Sequence, residues 1–546
     1  MNFIKDKIIK GWINNKRNHG GCLFVDIRNA SGIIQATTND ENIIKLIEKI
    51  PNESIISVTG VIKKREEHQI NAHLPMGNIE LLIENFEVLS INEKTIIDFS
   101  HSNVAEEIKM KNRVLYLRSA RMQRNLKFRA EIIIFMRNYM ENLNFLEIQT
   151  PLITFSSPEG ARDFIIPSRL HPGKFYALPQ APQIFKQMLM ASGVERYFQI
   201  APCFRDEDAR KDRCYGEFYQ LDCEMAFTTQ EEVLTLVTNI VTSIIKEFKK
   251  TKCVLTRLTY ENSLKLYGTD KPDLRNPLQI KDFSEIFLNT EMDLFKKAIK
   301  NGQNVRGIVA SFNVTNAICK RILARVENQF KIAYILKEEN EIKGPIAKFF
   351  PISEIDNNSA IFFVCDTYVA SNKKLNLLRE IIAEETELKL NPEEFQLVQI
   401  IDFPMFEKDG NQWYFTHNPF SKPQEIKENL EEIKAYQYDL VLNGFEICSG
   451  SIRNTNINTI LEFFELTGTP KEETELRFQG LFNAFKYGVP PHGGFAVGIE
   501  RLIMILLNED NIREIVAFPL NTNGSDPFTN TPSIPSSELL KELHLK

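Results

Sequence analysis

The chain has 546 residues, 43% of them apolar and 25% charged, with a formal net charge of −6. This composition predicts a globular protein of three or four domains and excludes global disorder, and the acidic balance excludes a uniformly basic nucleic-acid coat, so an RNA partner would meet local basic patches. No apolar run approaches the ~20 residues of a membrane span, the N-terminal MNFIKDKIIKGWINNKR lacks a signal peptide's apolar region, and scattered cysteines without a CxxC pair point to reduced thiols in a cytoplasmic protein with neither disulfides nor structural zinc.

Residues 1–95 predict five short strands: KIIKGWINN, CLFVDIRN, GIIQATT, SIISVTGVIKK and IELLIENFEVLS. A helical stretch, IIKLIEKI, falls between the third and fourth, the order of an OB-fold barrel; another small β-barrel stays open as an alternative. A polar stretch around Asp98 to Arg113 predicts a hinge over 96–115. The next segment, 116–276, carries a helix from Leu126 to Leu143. Its Phe128, Ile132, Phe135, Met136, Tyr139, Met140 and Leu143 recur at helical spacing. That stripe is core first, with one side available to a subunit interface. NFLEIQTPLI predicts a strand interrupted by Pro151. From Pro277 to Pro392 an α+β pattern without chemical motifs intervenes, which predicts an inserted domain. The motifs resume over 393–520. The polar, proline-rich tail 521–546 predicts an extended wrap.

Three constellations carry chemistry. FRDEDARKDRCYGEFYQLDCEMAF opens on Arg205 and Glu207, then alternates Phe218, Gln220, Asp222 and Glu224 on one strand face. Carboxylates beside an Arg are costly to bury unless a cationic or phosphorylated group arrives. An Arg fork can hold phosphate and an aromatic can stack on a base; the competing reading is a solvated, charge-paired hairpin. In PPHGGFAVGIERLIMILL, glycines 493, 494 and 498 allow close backbone approach to a ligand, and Arg501 falls in the first turn of an apolar helix whose N-terminus favours anions. A buried helix with Arg501 in a structural ion pair is the alternative. In YDLVLNGFEICSGSIR, Asp439 and Glu446 could hold a hard cation and Arg453 a carboxylate; an ordinary turn with exposed charges is the alternative.

These segments, with SPEGARDF (157–164), ALPQAPQIFKQ (177–187), LYGTDKPDLRNP (266–277), IDFPMFE (401–407), HNPF (417–420) and GGFAVGIERL (493–502), occur in an order that resembles the class IIb aminoacyl-tRNA synthetases, specifically the bacterial aspartyl type. The resemblance implies a multidomain α/β protein. An OB-fold anticodon-binding domain would precede a class II catalytic domain, an antiparallel sheet flanked by helices and interrupted by an α+β GAD-type insertion. It implies a homodimeric aspartate–tRNA ligase using ATP, Mg2+, L-aspartate and tRNA(Asp). By position, Arg205 would hold the ATP α-phosphate and the substrate carboxylate, Glu207 the adenine edge, Phe218 the adenine face and Arg501 the γ-phosphate. Asp206, Gly498, Ile499 and Glu500 would complete the ATP contacts. Asp439 and Glu446 would bind magnesium, the latter beside ATP. Lys186 and Arg453 would grip the aspartate side chain, Asp222 its ammonium, and Gln183 would position it. Glu159 and His417 would close over it.

Arg17, His19, Phe24 and Gln35 match anticodon-binding positions. His19 inclines this reading towards tRNA(Asn) as a second acceptor, whereas a Gly expected near His68 is missing. Three departures stand out: Glu500 replaces the family's usual Asp, RCYGEF is one residue longer than usual with Cys214 for Gln, and Asn418 replaces a second His. The rivals are an asparaginyl-tRNA synthetase, against which the insertion and SPEGARDF argue, and a non-catalytic RNA-binding paralogue. The latter should have lost one of Arg205, Asp222, Glu446 or Arg501, all present here.

Overall fold

Alternating apolar side chains on five N-terminal strands turn inward and close a barrel. The computed structural model describes residues 4–71, 76–99, 104–156, 160–311, 314–339, 341–351, 353, 355–388 and 390–545. The chain divides into two units, Met1–Ala105 and Glu106–Lys546. The barrel strands are Ile4–His19, Cys22–Asn29, Gly32–Thr38, Ile55–Lys64 and Ile79–Ser90, closed in the order first, second, third, fifth, fourth. Helix Glu41–Glu48 joins the third to the fourth and starts where the Asp40 carboxylate accepts from the backbone N–H of Asn42 and Ile43. Ile13, Val25, Ile27, Ala36, Ile47, Ile56, Val58 and Leu81 fill the interior. Each such side chain is worth ~1.5–3 kcal/mol when removed from water.

The second unit is built on an eight-stranded sheet, in the order Cys253–Thr259, Phe395–Ile401, Gln437–Leu442, Phe445–Ile452, His492–Gly498, Gly216–Ala226, Arg196–Arg205, Leu146–Glu147. Its neighbours run antiparallel except for the outermost pair at each edge. Period-two alternation divides it. Leu221, Cys223, Leu440, Phe495 and Val497 point to one face and pack with Ile132, Met136, Ile240, Ile244 and Leu502 from helices Ala120–Glu141, Gln230–Lys249 and Ile499–Leu506. Asp222, Glu224 and Asp439 therefore fall on the opposite face.

The 277–392 segment folds around a five-stranded sheet, Ile280–Asp282, Asn304–Ala310, Ser359–Asp366, Ala333–Glu338, Glu341–Lys343 in spatial order. Ile308, Phe362 and Val364 pack under helices Asn316–Val326 and Tyr368–Glu385, while Val305, Ile361 and Phe363 face Phe287 and Phe295 of helices Ser284–Leu288 and Asp293–Lys300.

Several elements differ from expectation. Residues 106–115, expected within a hinge, are largely helical, in Glu106–Lys111 and Arg113–Leu117. The cause is Arg113, a buried cation whose guanidinium donates to the carbonyls of Arg513 at 2.8 Å and Ala517 at 2.7 Å. The long helix starts at Ala120, before Leu126, because Ser119 caps it through the Met122 N–H. The strand expected through Pro151 stops at Glu147. Beyond it the Gln199 side chain, in place of a ladder partner, takes the N–H and hydroxyl of Thr150. The tail ends in a short helix, Ser537–Glu542, capped by Ser536, so it is extended only in part. Among the described residues no helix is long and apolar enough to cross a membrane.

Candidate active site

The polar face of the large sheet opens into a cavity of about 490 Å³ whose walls include Gln183, Lys186, Arg205, Glu207, Phe218, Asp222, His417, Glu446, Arg453 and Arg501. Motifs hundreds of residues apart meet there because strand Gly216–Ala226 pairs with His492–Gly498, which pairs with Phe445–Ile452.

Two acids and two bases lie at its deep end. Lys186, on helix Gln183–Ala191, approaches Asp222 at 2.7 Å and Glu224 at 3.2 Å. Arg453, one residue past its strand, grips Glu224 through Nε at 2.8 Å and Nη2 at 3.1 Å. All four are buried. Burial opposes each charge, but Arg453 and Lys186 more than offset it at Glu224, whose carboxyl is pulled down to about 2. Burial dominates at Asp222 and raises its pKa, while Asp222 and Glu224 overcome burial at Lys186 and raise that of the ammonium.

Gly494 makes this pairing possible: a Cβ there would sit 2.2 Å from Glu224 Oε2. Gly493 similarly faces Ile452 at 2.5 Å. These glycines admit neighbouring protein atoms, not a ligand as their sequence suggested. One polar atom of the deep end, Gln183 Nε2, is buried without a hydrogen-bond partner among the described residues. Such groups are costly unless a ligand or water meets them.

Nearer the mouth, the Arg205 guanidinium lies 5.0 Å from the centre of the Phe218 ring, and its Nε is buried without a partner. Glu207 pairs with Arg213 at 2.5 Å. Arg501 donates to the Glu446 carbonyl at 2.5 Å and to Asp212 at 3.3 Å. Gly498 lines the cavity, whereas Ile499 is buried in the core. Asp206 lies outside the walls and accepts from the Tyr215 hydroxyl at 2.8 Å. Glu500 touches the cavity, but its carboxylate is spent elsewhere, accepting from the Tyr219 N–H at 3.0 Å and pairing with Arg129 at 2.5 Å. The extra methylene relative to Asp is used in this brace.

Asp439 is fully buried, with the Ser449 side chain as its hydrogen-bonding neighbour, and Glu446 pairs with Lys271 at 2.9 Å. Burial and the neighbouring Glu446 push Asp439 well above the usual carboxylate range. Burial acts the same way on Glu446, but Lys271 outweighs it and its carboxyl lies below the ordinary value. A fully buried carboxylate beside a second one fits a hard divalent ion that takes its remaining ligands from phosphate and water. The His417 ring meets Phe403 edge-on, with centroids 4.7 Å apart. Glu159 lies outside the described residues. Sequence reasoning gave no role to Lys271, Asp212, Arg213 or Arg129, and left Glu224 in a row of acids without its partner.

On the barrel, Arg17 and Phe24 are cross-strand neighbours. Phe24 faces away from the core that takes Leu23 and Val25, and the exposed His19 lies against it at 6.0 Å between ring centres. Arg17 pairs with Asp26 at 3.1 Å. Gln35 is engaged at both ends, donating to Asp26 at 3.2 Å and accepting from Arg65 at 2.7 Å.

An antiparallel sheet bearing paired acids and bases, an Arg–Phe stack and a glycine-fed helix that starts beside Arg501, with an OB barrel on the same chain, defines a class II synthetase core with a nucleic-acid-binding module. The chain belongs to the tRNA synthetases class II (D, K and N), whose pattern matches residues 105–522, and residues 8–89 match the OB-fold nucleic acid binding domain. It is 45% identical to an aspartate–tRNA(Asp/Asn) ligase of Pelagibacter ubique over 99% of this chain and 96% of that protein. It is 42% identical to the same-named ligase of Orientia tsutsugamushi, over 98% and 95%. In fold it is similar to the asparaginyl-tRNA synthetase from Pyrococcus horikoshii complexed with asparaginyl-adenylate, at a TM-score of 0.60 and 18% identity, covering 94% of this chain and 95% of that one.

Proposed function

We propose that the chain is an aspartate–tRNA ligase that charges tRNA(Asp) and, as the names of its relatives suggest, tRNA(Asn). One observation at the deep end carries the amino-acid choice. Among the described residues Lys186 faces two acceptors and Arg453 makes four hydrogen bonds, so one donor of three and one of five remain. Two free donors on two buried cations suit the two oxygens of a side-chain carboxylate. An amide would leave one cation facing an N–H, which is heavily penalised in a buried site. Asp222, on the cavity wall, would face the ammonium group.

The reaction needs no protein nucleophile. The aspartate α-carboxylate attacks the α-phosphorus of ATP and pyrophosphate leaves; a ribose hydroxyl of the terminal adenosine then attacks the activated carbonyl and releases AMP. Arg205 would neutralise the α-phosphate, Phe218 would stack on adenine, and Arg501 would hold the departing phosphates. Asp439 and Glu446 would hold Mg2+, which supplies further neutralisation of phosphate charge when bound. Asp206 and Ile499 contribute at most backbone to these contacts. The functional molecule is a homodimer working in the cytoplasm. The acceptor range is tested by charging tRNA(Asp) and tRNA(Asn) transcripts with aspartate, then repeating with His19→Leu. Acceptance of both, with tRNA(Asn) use reduced in the variant, is expected. Refusal of tRNA(Asn) by the unmodified enzyme removes the dual specificity.

A further inference from the structure

Lys271 and Glu446 form an ion pair at 2.9 Å in the half of the cavity assigned to the cation. Lys271 comes from the loop between helix Tyr260–Tyr267 and the inserted domain, far in sequence from both carboxylates. That loop is held on two sides. Gly268 (φ +71°) packs so closely on the inserted domain that a Cβ would sit 2.5 Å from the Asn372 carbonyl oxygen, and Gly444 places Asp273 3.2 Å from where its own Cβ would be. Ser263 fixes the backbone between them through the Thr269 carbonyl at 2.7 Å. Arg379 of the inserted domain donates to the carbonyl of Asn276, at the end of that loop, at 3.2 Å. The ammonium is therefore delivered to Glu446 by a braced loop.

We propose that Lys271 is a positioning residue that serves as a built-in counter-cation. It neutralises Glu446 in the empty site and must be displaced from it when a divalent ion enters between Asp439 and Glu446. Asp439, fully buried, and Glu446 repel each other unless a positive charge lies between or beside them. Lys271 supplies that charge on a flexible four-carbon stem, so it can retreat without moving the backbone. The cost of breaking the pair is charged against cation binding. The inserted domain, by bracing the loop, sets that cost. This inference rests on the reading of Asp439 and Glu446 as the cation pair.

The test is titration of the full-length protein with Mn2+, followed by loss of the free-ion EPR signal, for the unmodified enzyme, Lys271→Met, Lys271→Arg and Glu446→Gln. Lys271→Met keeps most of the stem's packing and removes the competitor, so it should bind Mn2+ about fivefold more tightly or better. Lys271→Arg should restore the unmodified affinity, an outcome that a purely structural role for the stem does not produce. Unchanged or weaker binding in Lys271→Met, with Glu446→Gln abolishing the site, overturns the counter-cation while leaving the cation pair standing. Binding in Glu446→Gln equal to that of the unmodified enzyme overturns the pair itself and the inference with it. Absence of any site in Lys271→Met also overturns the inference.

Discussion

Arg453 and Glu224 meet as a two-point pair with both side chains buried, and Lys186 closes the arrangement from the other side of Glu224. Glu224 thus lies between two cations, and they hold its carboxyl near 2 against an ordinary value of 4.5. A folded value below the unfolded one means a stabilising contribution complete above about pH 4.5 and lost as pH falls towards 2. Glu224→Gln should cost about 3 kcal/mol at pH 7, the loss expected when one partner of a buried pair is removed. The gap between the two proteins in urea unfolding should narrow as pH drops from 5 to about 3. A gap constant over that range would mean that Glu224 is not ionised in the folded state.

Arg205→Ala and Arg501→Ala should each reduce aspartate-dependent pyrophosphate exchange by a factor of about 10³ or more, with the melting temperature little changed. Arg205 has a buried Nε without a protein partner and Arg501 makes only part-buried contacts, so neither anchors the fold. Exchange within tenfold of normal would remove the phosphate roles.

Glu500→Gln should behave differently. Its carboxylate ties the Tyr219 N–H to Arg129, and Arg129 lies 5.2 Å over the Tyr219 ring. Loss of the charge should destabilise the protein by about 2–4 kcal/mol and leave residual exchange in the folded fraction well above that of Arg501→Ala. Equal loss of activity with unchanged stability would make Glu500 a direct ATP contact.

The barrel and the cavity should separate in assay. Phe24→Ala should weaken tRNA charging by ~1–3 kcal/mol, the value of one stacked base, and spare pyrophosphate exchange. Gln35 must give up at least one of its bonds to Asp26 or Arg65 before it reads a base edge, so Gln35→Ala should have the smaller effect on charging. Comparable losses in both assays would make Phe24 part of the fold alone.

Ile134, Leu146, Ile153 and Phe227 are all exposed. Ile134 on the Ala120–Glu141 helix and Leu146 on the strand that contacts it fit a two-fold interface. Sedimentation equilibrium at micromolar concentration should give a dimer; a fully active monomer would contradict it.

Much of this molecule was legible in its sequence. Period-two alternation located the barrel strands and placed Gln220, Asp222 and Glu224 on one face, and helical periodicity found the long helix. The change of pattern from Pro277 to Pro392 suggested an insertion, and the resemblance pointed to residues such as Lys186, Arg205, Asp222, Arg453 and Arg501 that line the cavity. What escaped depends on partners remote in sequence. Arg113 reads as a surface charge until three carbonyls near residue 515 surround it. Gly493 and Gly494 read as ligand-facing until Ile452 and Glu224 occupy the space. Lys271 sits in a segment noticed only as a motif, since nothing local says that its ammonium reaches Glu446. Pro151 could mark a bend, but capture of Thr150 by the Gln199 side chain cannot be read from either residue alone.

The buried cations Lys186 and Arg453 are proposed to select a carboxylate. ATP–pyrophosphate exchange measured with L-aspartate and with L-asparagine, each across its full saturation range, tests it most directly. Exchange supported by aspartate with a kcat/KM at least ~10⁴ times that for asparagine is the predicted result, and Arg453→Leu should erase most of the difference. Exchange supported equally or better by asparagine would contradict the assignment of Lys186 and Arg453, and with it the proposed substrate.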